Sequence, residues 1–183
     1  KCHVTVEEIY NQSVHGQLLA KGDPGGPVCT DCHSAHDIQP PMNGHFKMAS
    51  DKQCGKCHED RLTHYRDTYH GKAMALGRQN VSTDVAACFD CHGHHDVLPI
   101  SNPKSRLSTT NIVATCQQCH PDATASFAKF VPHANPLDRE NYPQLHWVFV
   151  GMTSLLVGVF AFFGGHTFLW LFRSIYLYLH DSK

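Results

Sequence analysis

The stretch Cys29-Thr30-Asp31-Cys32-His33-Ser34-Ala35-His36 decides how the rest of the chain is interpreted. It combines a Cys-x-x-Cys-His motif with a second histidine three residues further on. Two thiols at this spacing can form thioethers with the two vinyl groups of one haem, and the next histidine is close enough to bind its iron. The pattern therefore predicts covalent attachment of a c-type haem.

Four complete copies of this motif occur in the chain, and they account for eight of its nine cysteines. The ninth, Cys2, directly precedes His3, and we interpret this pair as the end of a fifth motif whose first cysteine lies before Lys1. The predicted thioether cysteines are Cys2, Cys29, Cys32, Cys54, Cys57, Cys88, Cys91, Cys116 and Cys119. The predicted proximal iron ligands are His3, His33, His58, His92 and His120.

Two other kinds of structure use paired cysteines, and both explain the motif less well. A zinc ribbon contains Cys-x-x-Cys pairs, but it does not need a histidine directly after each second cysteine. A disulfide scaffold explains an even number of cysteines, but neither the following histidine nor the total of sixteen histidines. Haem attachment is the interpretation that accounts for the whole motif.

The chain repeats itself over about sixty residues, and each repeat contains two motifs. A tyrosine and then a histidine follow His3 and His58 at identical spacings, and a phenylalanine and a histidine follow His120 at nearly the same spacing. The segments that begin at Cys29 and Cys88 also correspond, which selects His95 rather than His94 as the counterpart of the second histidine in the opening stretch. The histidines placed by the repeat outside the motifs are His15, His36, His70, His95 and His133.

These five histidines equal the predicted haems in number, so we expect them to be the distal ligands of low-spin, bis-histidine iron. With both axial positions filled, such iron suits electron transfer, because no substrate can bind the metal. Spacing alone does not decide which histidine serves which haem. We interpret His45, His64 and His94 as surface residues or as partners of haem propionates.

The composition agrees with a core made largely of haem. Charged residues are 17% of the chain, Gly and Pro are frequent, and amphipathic helical periodicity is scarce before residue 145. The predicted fold is therefore mainly α with long loops, with a pentahaem domain over 1–131 whose core is built by haem. A net charge of -1 without a basic cluster argues against nucleic acid as a partner.

A linker over 132–145 contains three prolines and is followed by a strongly apolar segment. No Asp, Glu, Lys or Arg occurs over 147–172, and as a helix this segment is about 39 Å long, enough to cross a hydrocarbon core of about 30 Å. We therefore predict a transmembrane helix with its extension over 146–180. A buried soluble helix is the alternative, but the rest of the chain offers no comparably apolar surface.

Orientation follows from chemistry, because haem is attached to apocytochromes c on the outer face of the energy-conserving membrane. The haem domain is expected on the periplasmic side of the inner membrane and the C-terminus in the cytoplasm. Small residues line one helix face and predict a transmembrane partner subunit: Gly151, Ser154, Gly158, Ala161 and Gly165. Beside them, His166 is a candidate to ligate a b-type haem, to bind quinone, or simply to form a hydrogen bond with the partner or lie at the interface.

The sequence resembles a known family in two places. The doubled motifs, with Cys88-Phe-Asp-Cys-His-Gly-His-His-Asp-Val-Leu-Pro as the fullest example, resemble the multihaem cytochromes c. The segment Phe163-Gly-Gly-His-Thr-Phe-Leu-Trp-Leu-Phe-Arg-Ser174 resembles the membrane-entry segment of members associated with a b-type cytochrome. The resemblance implies electron transfer between a membrane quinone or b-haem module and periplasmic redox proteins.

Three functions are compatible with the residues. The first is a membrane-anchored electron carrier with about five c-type haems, which by itself is not expected to be an enzyme. The second is a multihaem oxidoreductase that acts on a small nitrogen or sulfur oxyanion and needs one iron with an open position. The third is a structural haem subunit of a larger respiratory complex, for which the small-residue face is the evidence.

Overall fold

The computed structural model describes residues 3–40, 44–77 and 85–181, and the predicted thioether cysteine Cys2 lies outside them. Within these ranges the chain forms helices and loops without a strand, which confirms the mainly α prediction. The helices are α1 (Val4–Gln12), α2 (Val14–Ala20), α3 (Cys29–His33), α4 (Gly44–Gly55), α5 (Glu59–Asp67), α6 (Tyr69–Gly77), α7 (Cys88–His92), α8 (Ile112–Gln117) and α9 (Pro143–Asp181). A short 3-10 helix spans Phe127–Lys129.

The chain divides into two compact units between His133 and Ala134. The first unit contains α1 to α8 and all the Cys-x-x-Cys-His motifs. The second contains α9 and the residues that lead to it. The sequence places the end of the haem domain at residue 131, and the first unit extends to His133, so this predicted distal ligand belongs to the same unit as the motifs.

The helix pairs α1–α2 and α5–α6 have the same construction, which is the structural form of the sequence repeat. One residue separates the two helices in each pair, and its hydroxyl caps the second helix. Ser13 accepts a hydrogen bond from the Gly16 N–H at 3.1 Å, and Thr68 accepts one from the Gly71 N–H at 3.1 Å. Ser and Thr at this position satisfy a backbone donor that the first turn leaves without a helical partner.

A glycine lets the two helices of each pair meet closely. A Cβ atom on Gly16 would lie 2.1 Å from the carbonyl oxygen of Tyr10, and one on Gly71 would lie 2.1 Å from that of Tyr65. No side chain fits at such distances, and the blocking atom is backbone in both cases. The glycine that follows the predicted distal histidine in these two helix pairs is therefore needed for the sharp corner between the helices.

Each helix pair is joined to the next motif by a tyrosine hydroxyl. Tyr65 donates a hydrogen bond to the carbonyl of Ala86 at 2.7 Å, and Tyr10 donates one to the carbonyl of Pro27. In both repeats the accepting carbonyl lies two residues before the first cysteine of the motif. Burial raises the pKa of Tyr65, so its hydroxyl keeps the proton that it donates.

Apolar packing within the first unit is sparse. The buried hydrophobic residues in the described ranges are Met48, Tyr65, Met74, Ala87 and Ala123. Met48, Met74 and Ala87 form one small cluster, with Val85 and Phe89 packed against it. A unit of this length ordinarily buries about two thirds of its chain surface, so the polypeptide alone supplies only a fraction of a normal core.

Helix α9 is long and exposed along its whole apolar length. It begins at Pro143, a residue suited to the first helical turn, and its 39 residues extend for about 58 Å. Near its start, the His146 Nδ1 atom lies 3.0 Å from the carbonyl oxygen of Pro136, and the Arg139 guanidinium lies 5.0 Å from the centre of the Trp147 ring. Among the described residues this is the one helix long and apolar enough to cross a membrane, as the sequence predicts.

We predict that Gly71→Ala destabilises the first unit by about 1 to 3 kcal/mol, because the added methyl group collides with the backbone of the preceding helix. Thermal unfolding of the full chain in detergent measures the loss. The adjacent variant Lys72→Ala, at an exposed position of the same helix, serves as the control. Equal stabilities of the two variants would contradict the proposed role of the glycine.

Candidate metal centres

Two of the motifs form short helices that an aspartate caps. In α3 the side chain of Asp31 accepts a hydrogen bond from the Val28 N–H at 2.6 Å, and in α7 that of Asp90 accepts one from the Ala87 N–H at 2.7 Å. The aspartate is the second of the two residues between the cysteines in both motifs. This aspartate, which caps the helix of each of these two motifs, is not among the residues that the sequence analysis singled out. The shared Cys-x-Asp-Cys-His pattern is the signal that could have identified it.

The other two motifs make the same helical turn without that cap. The N–H of His58 donates to the carbonyl of Cys54 at 3.1 Å, and the N–H of His120 donates to that of Cys116 at 2.9 Å. One turn of helix therefore brings the first cysteine and the histidine of each motif close together. This arrangement suits attachment of one planar group through two sulfurs and one nitrogen.

Four motif histidines lie next to a histidine from outside the motifs. The distances between ring centres are 6.2 Å for His15 and His58, 5.9 Å for His33 and His95, 6.1 Å for His70 and His120, and 6.2 Å for His92 and His133. Every one of these pairs joins a predicted proximal ligand to a predicted distal ligand. The structure thereby gives pairings that spacing along the chain left open.

The spacing of the paired rings fits a shared metal ion. An imidazole nitrogen lies about 2 Å from a bound first-row metal and about 1 Å from the centre of its own ring, so two imidazoles on opposite sides of one metal have ring centres about 6 Å apart. The four measured distances, from 5.9 to 6.2 Å, agree with this value. The interplanar angles of 32 to 38° are compatible with it, because each ring can turn about its bond to the metal.

The surroundings of five of the paired imidazoles favour the neutral form that binds metal. Partial loss of hydration lowers the pKa of His15, His70, His92, His95 and His133. The proximity of the paired imidazole lowers it further in His15, where the neighbour is His58, and in His70, where it is His120. A neutral imidazole has a free lone pair, which is the requirement for coordination.

Backbone contacts orient two of the non-motif histidines. The Nδ1 atom of His133 lies 3.2 Å from the carbonyl oxygen of Arg61, and a proton on Nδ1 that is donated to this carbonyl leaves Nε2 free as a ligand. His15 begins the first turn of α2, and the N–H of its neighbour Val14 donates to the carbonyl of Val97 at 2.9 Å. This bond connects the first repeat to the loop that contains His95.

The loop that contains His95 is shaped by a charged pair. Asp96 accepts a hydrogen bond from the Arg106 guanidinium at 3.3 Å and another from the His94 N–H at 3.2 Å. Gly93 ends the preceding helix with a φ of 80°, and its counterpart Ser34 has a φ of 61°. The turn directs the chain so that His95, and not His94, lies beside a motif histidine.

Of the three histidines that the sequence assigns to the surface or to haem propionates, His94 and His64 have neighbours in the described structure. His94 lies with its ring centre 5.4 Å from those of Phe89 and His95. The Nε2 atom of His64 lies 3.2 Å from a carboxylate oxygen of Asp60, and its buried Nδ1 atom has no hydrogen-bond partner in the described structure.

Two predicted ligands are not brought together with another histidine. His3 and His36 are both exposed, and neither has an aromatic or imidazole ring beside it within the described ranges. The predicted distal role of His36 therefore has no partner in residues 3–40, 44–77 and 85–181. His166 lies on α9, where all neighbouring side chains are exposed, so its three alternative roles stay open.

The motifs adjoin one another in the order of the chain. The side chains of Cys54 and Cys88 are hydrogen-bonded, which lowers the pKa of Cys54 to about 7. Partial burial raises the pKa of Cys32, and the nearby charges of Cys54 and Cys57 raise it further. Burial also raises the pKa of Cys91, and the nearby charges of Asp90 and of the two cysteines of the fourth motif raise it further. First, second, third and fourth motifs are thus successive neighbours.

All eight cysteines in the described residues are free thiols. Within the same part of the chain no three His, Cys, Asp or Glu side chains converge in a way that could hold a metal ion. A structural zinc site usually needs four converging ligands, whereas a metal ion already held in a macrocycle needs only two axial ones. The donor set of two imidazoles beside two thiols fits haem iron.

Comparison with known proteins adds no identification. No family model, curated protein or solved structure matches the chain. The candidate centres therefore rest on the motifs, the repeat and the geometry of the histidine pairs.

Polar contacts that the sequence did not reveal surround the motifs. Asp90 also forms an ion pair with Lys47 at 2.8 Å, which links α7 to α4. Asp51 is almost completely buried and forms an ion pair with Arg66 at 3.2 Å, which links α4 to α5. Their partners lie far away in sequence, so no local pattern could have found them.

We predict that Asp90→Ala destabilises the first unit by about 1 to 2 kcal/mol, because it removes the cap of α7 and leaves the Ala87 N–H without an acceptor. Urea unfolding of the full chain measures the effect. Asp122→Ala, which removes an exposed carboxylate from the unit, should change the midpoint little. A similar loss in both variants would indicate a general charge effect instead.

Proposed function

We propose that the first unit binds c-type haems through its Cys-x-x-Cys-His motifs and that two histidines bind the iron at each of the four paired centres. We further propose that the protein is an electron-transfer component of a membrane. Four haems would be bound by the described motifs, and a fifth by the motif that ends at His3. The observation that supports the proposal most strongly is the spacing of the four histidine pairs, each of which contains one motif histidine.

The paired histidines favour electron transfer over catalysis. Haem bound at these places supplies reversible one-electron chemistry. Two imidazoles per iron leave no coordination position for a substrate, and they keep the ligand set the same in both oxidation states. The protein would contribute both axial imidazoles of each of these haems, from residues that the structure brings together in pairs. This argument applies to the four paired centres and disfavours a substrate-binding iron among them.

The order of the motifs supports a continuous row of redox centres. Cysteines of consecutive motifs lie next to each other, from Cys32 beside Cys54 to Cys91 beside the fourth motif. Groups attached to neighbouring cysteines would themselves be neighbours, which short electron-transfer steps require. Each helix pair and each aspartate cap then serves to hold a motif against the next one.

A haem-built core would explain the sparse apolar packing. Each macrocycle is a large apolar plate, and burying it would supply the hydrophobic stabilisation that the few buried side chains do not. On this proposal the α1–α2 and α5–α6 helix pairs would pack against the faces of haems, and they would not form a conventional helical core. The first unit would then depend on haem for its folding.

The second unit supports a membrane location. We propose that α9 crosses the inner membrane, with the haem domain on the periplasmic side, and packs its small-residue face against a partner subunit that contains a b-type haem or binds quinone. A Cβ atom on Gly151 or Gly158 would meet nothing within 4 Å, so this face has room for another helix. His166 lies beside that face and is the residue by which α9 would take part in the redox chemistry of the partner.

The ligand assignment can be tested with two adjacent histidines. We expect His95→Met to convert one haem from bis-histidine to histidine–methionine ligation and to raise its reduction potential, since axial methionine has this effect in cytochromes c. His94→Met should change no haem. Near-infrared magnetic circular dichroism and a redox titration of the full chain provide the readouts.

Unchanged spectra in the His95 variant, with full haem content, would show that this histidine is not a ligand. The same measurement tests the function, because a chain without covalently bound haem after expression with the cytochrome c maturation system would end the electron-transfer proposal.

The membrane coupling can be tested in α9. Gly158→Ile should weaken association with the partner subunit and reduce quinol-dependent reduction of the c-type haems, while dithionite still reduces them fully. Leu156→Ile, on another face of the helix, is the control. Quinol-dependent reduction that survives loss of the partner would contradict the proposed route of electrons.

A further inference from the structure

We propose that His3 and His36 do not share a haem, and that each completes a separate haem site together with a further copy of the repeat that lies outside residues 1–183. This inference rests on the proposed function. It assigns His36 to a haem attached to that further copy, and it assigns the second ligand of the haem on Cys2 and His3 to a histidine of the same copy.

The first argument is that His3 and His36 are the two ligands left over. The other eight predicted ligands form four pairs with ring centres 5.9 to 6.2 Å apart. His3 and His36 are exposed, and within the described ranges neither has another imidazole beside it. Counting alone would join the two, but the geometry of the described chain does not.

The second argument comes from the equivalent residues of the next repeat. His58 is the counterpart of His3, and His95 is the counterpart of His36. If His3 and His36 formed a pair, His58 and His95 should form one as well. They do not, because His58 lies beside His15 and His95 lies beside His33.

The third argument is the direction of the exchange between repeats. His15 of the first repeat completes the first motif of the second, and His95 of the second completes the second motif of the first. Neighbouring repeats thus exchange one distal histidine in each direction. We apply the same rule to the repeat that would precede the first one. The iron bound by His3 would then take its second ligand from that preceding copy, and His36 would bind the iron of a motif in that copy.

The other end of the array shows how the rule stops. His70 completes the motif that ends at His120, as the rule requires. His92 would need a counterpart of His95 in a third repeat, but the segment after His120 contains no second motif. His133 takes that place instead, at 6.2 Å from His92. At this end, a histidine from a different position of the repeat therefore replaces the missing counterpart of His95 and closes the array. Within the described ranges, no such replacement lies beside His3 or His36.

The partner is defined by its chemistry. It must offer a complete Cys-x-x-Cys-His motif, whose iron takes His36 as its sixth ligand, and a free histidine in the position of His15, which binds the iron held by His3. It must also be adjacent to the loop after α3, which contains His36, and to His3, which directly precedes α1. A further repeat in the same polypeptide meets all these requirements.

The test is a set of paired variants of the full-length protein. His36→Met labels the haem that it ligates, because methionine ligation gives a distinct near-infrared magnetic circular dichroism band. The label is then combined with removal of both cysteines of the motif that ends at His3. We expect the methionine band to persist at one haem per chain while total haem falls by one. If the band disappears with that haem, His3 and His36 share it, and the proposal is wrong.

Two controls use pairs that the structure provides. His95→Met combined with Cys29→Ala and Cys32→Ala must lose the methionine band, because the labelled haem is removed. His95→Met combined with Cys54→Ala and Cys57→Ala must keep it. If these controls fail, the proposed ligation itself fails; if they succeed and the His36 band disappears, only the present inference fails.

Two further outcomes are decisive. A His36→Met variant with full haem content and no methionine band would show that His36 is not a ligand, which overturns the proposal. If the motif variants lose more haem than the one removed, a structure of the unaltered full-length, haem-loaded protein answers the question directly. We expect it to show His36 on an iron other than the one bound by His3, and His36 on that same iron would overturn the proposal.

Discussion

The pairing of imidazoles at about 6 Å is the constraint on which the rest of the first unit depends. Each pair brings a motif together with a residue far away in sequence, and apolar packing between these segments is limited to a small cluster around Met74. Eight side chains in four pairs therefore define the path of most of the chain. In a conventional domain the hydrophobic core has this role, but here the positions that matter are those of possible metal ligands.

Local structure in each repeat serves these pairs. An aspartate caps the motif helix, a tyrosine hydroxyl holds the residue two places before it, and a glycine allows the helix with the distal histidine to turn sharply. None of these contacts stabilises the fold by more than a modest amount. Their common effect is precision, because two imidazole rings displaced from this spacing could not bind one shared metal ion.

Sequence reasoning could find the members of the pairs but not the pairs. The motif histidines follow from chemistry at fixed spacing, and the repeat identifies His95 in preference to His94, which the geometry supports. Partnership depends on how consecutive helix pairs turn against each other, and spacing along the chain contains no such information. For the same reason the buried ion pair of Asp51 with Arg66 could not have been foreseen. The apolar length of α9 was visible in the sequence because membrane-crossing capacity is a local property.

The proposed exchange of distal histidines between neighbouring repeats would make each repeat depend on its neighbour, and it would also determine how the array ends. A repeat with internal pairs could stand alone, whereas a repeat that gives one histidine away and receives one is incomplete without its neighbour. Such an array must be closed wherever it stops. At the end that leads to α9, His133 provides the closure, held by the carbonyl of Arg61. His3 and His36, at the opposite end, have no such device among the described residues, and the exchange proposed for the four pairs therefore predicts another repeat beside them.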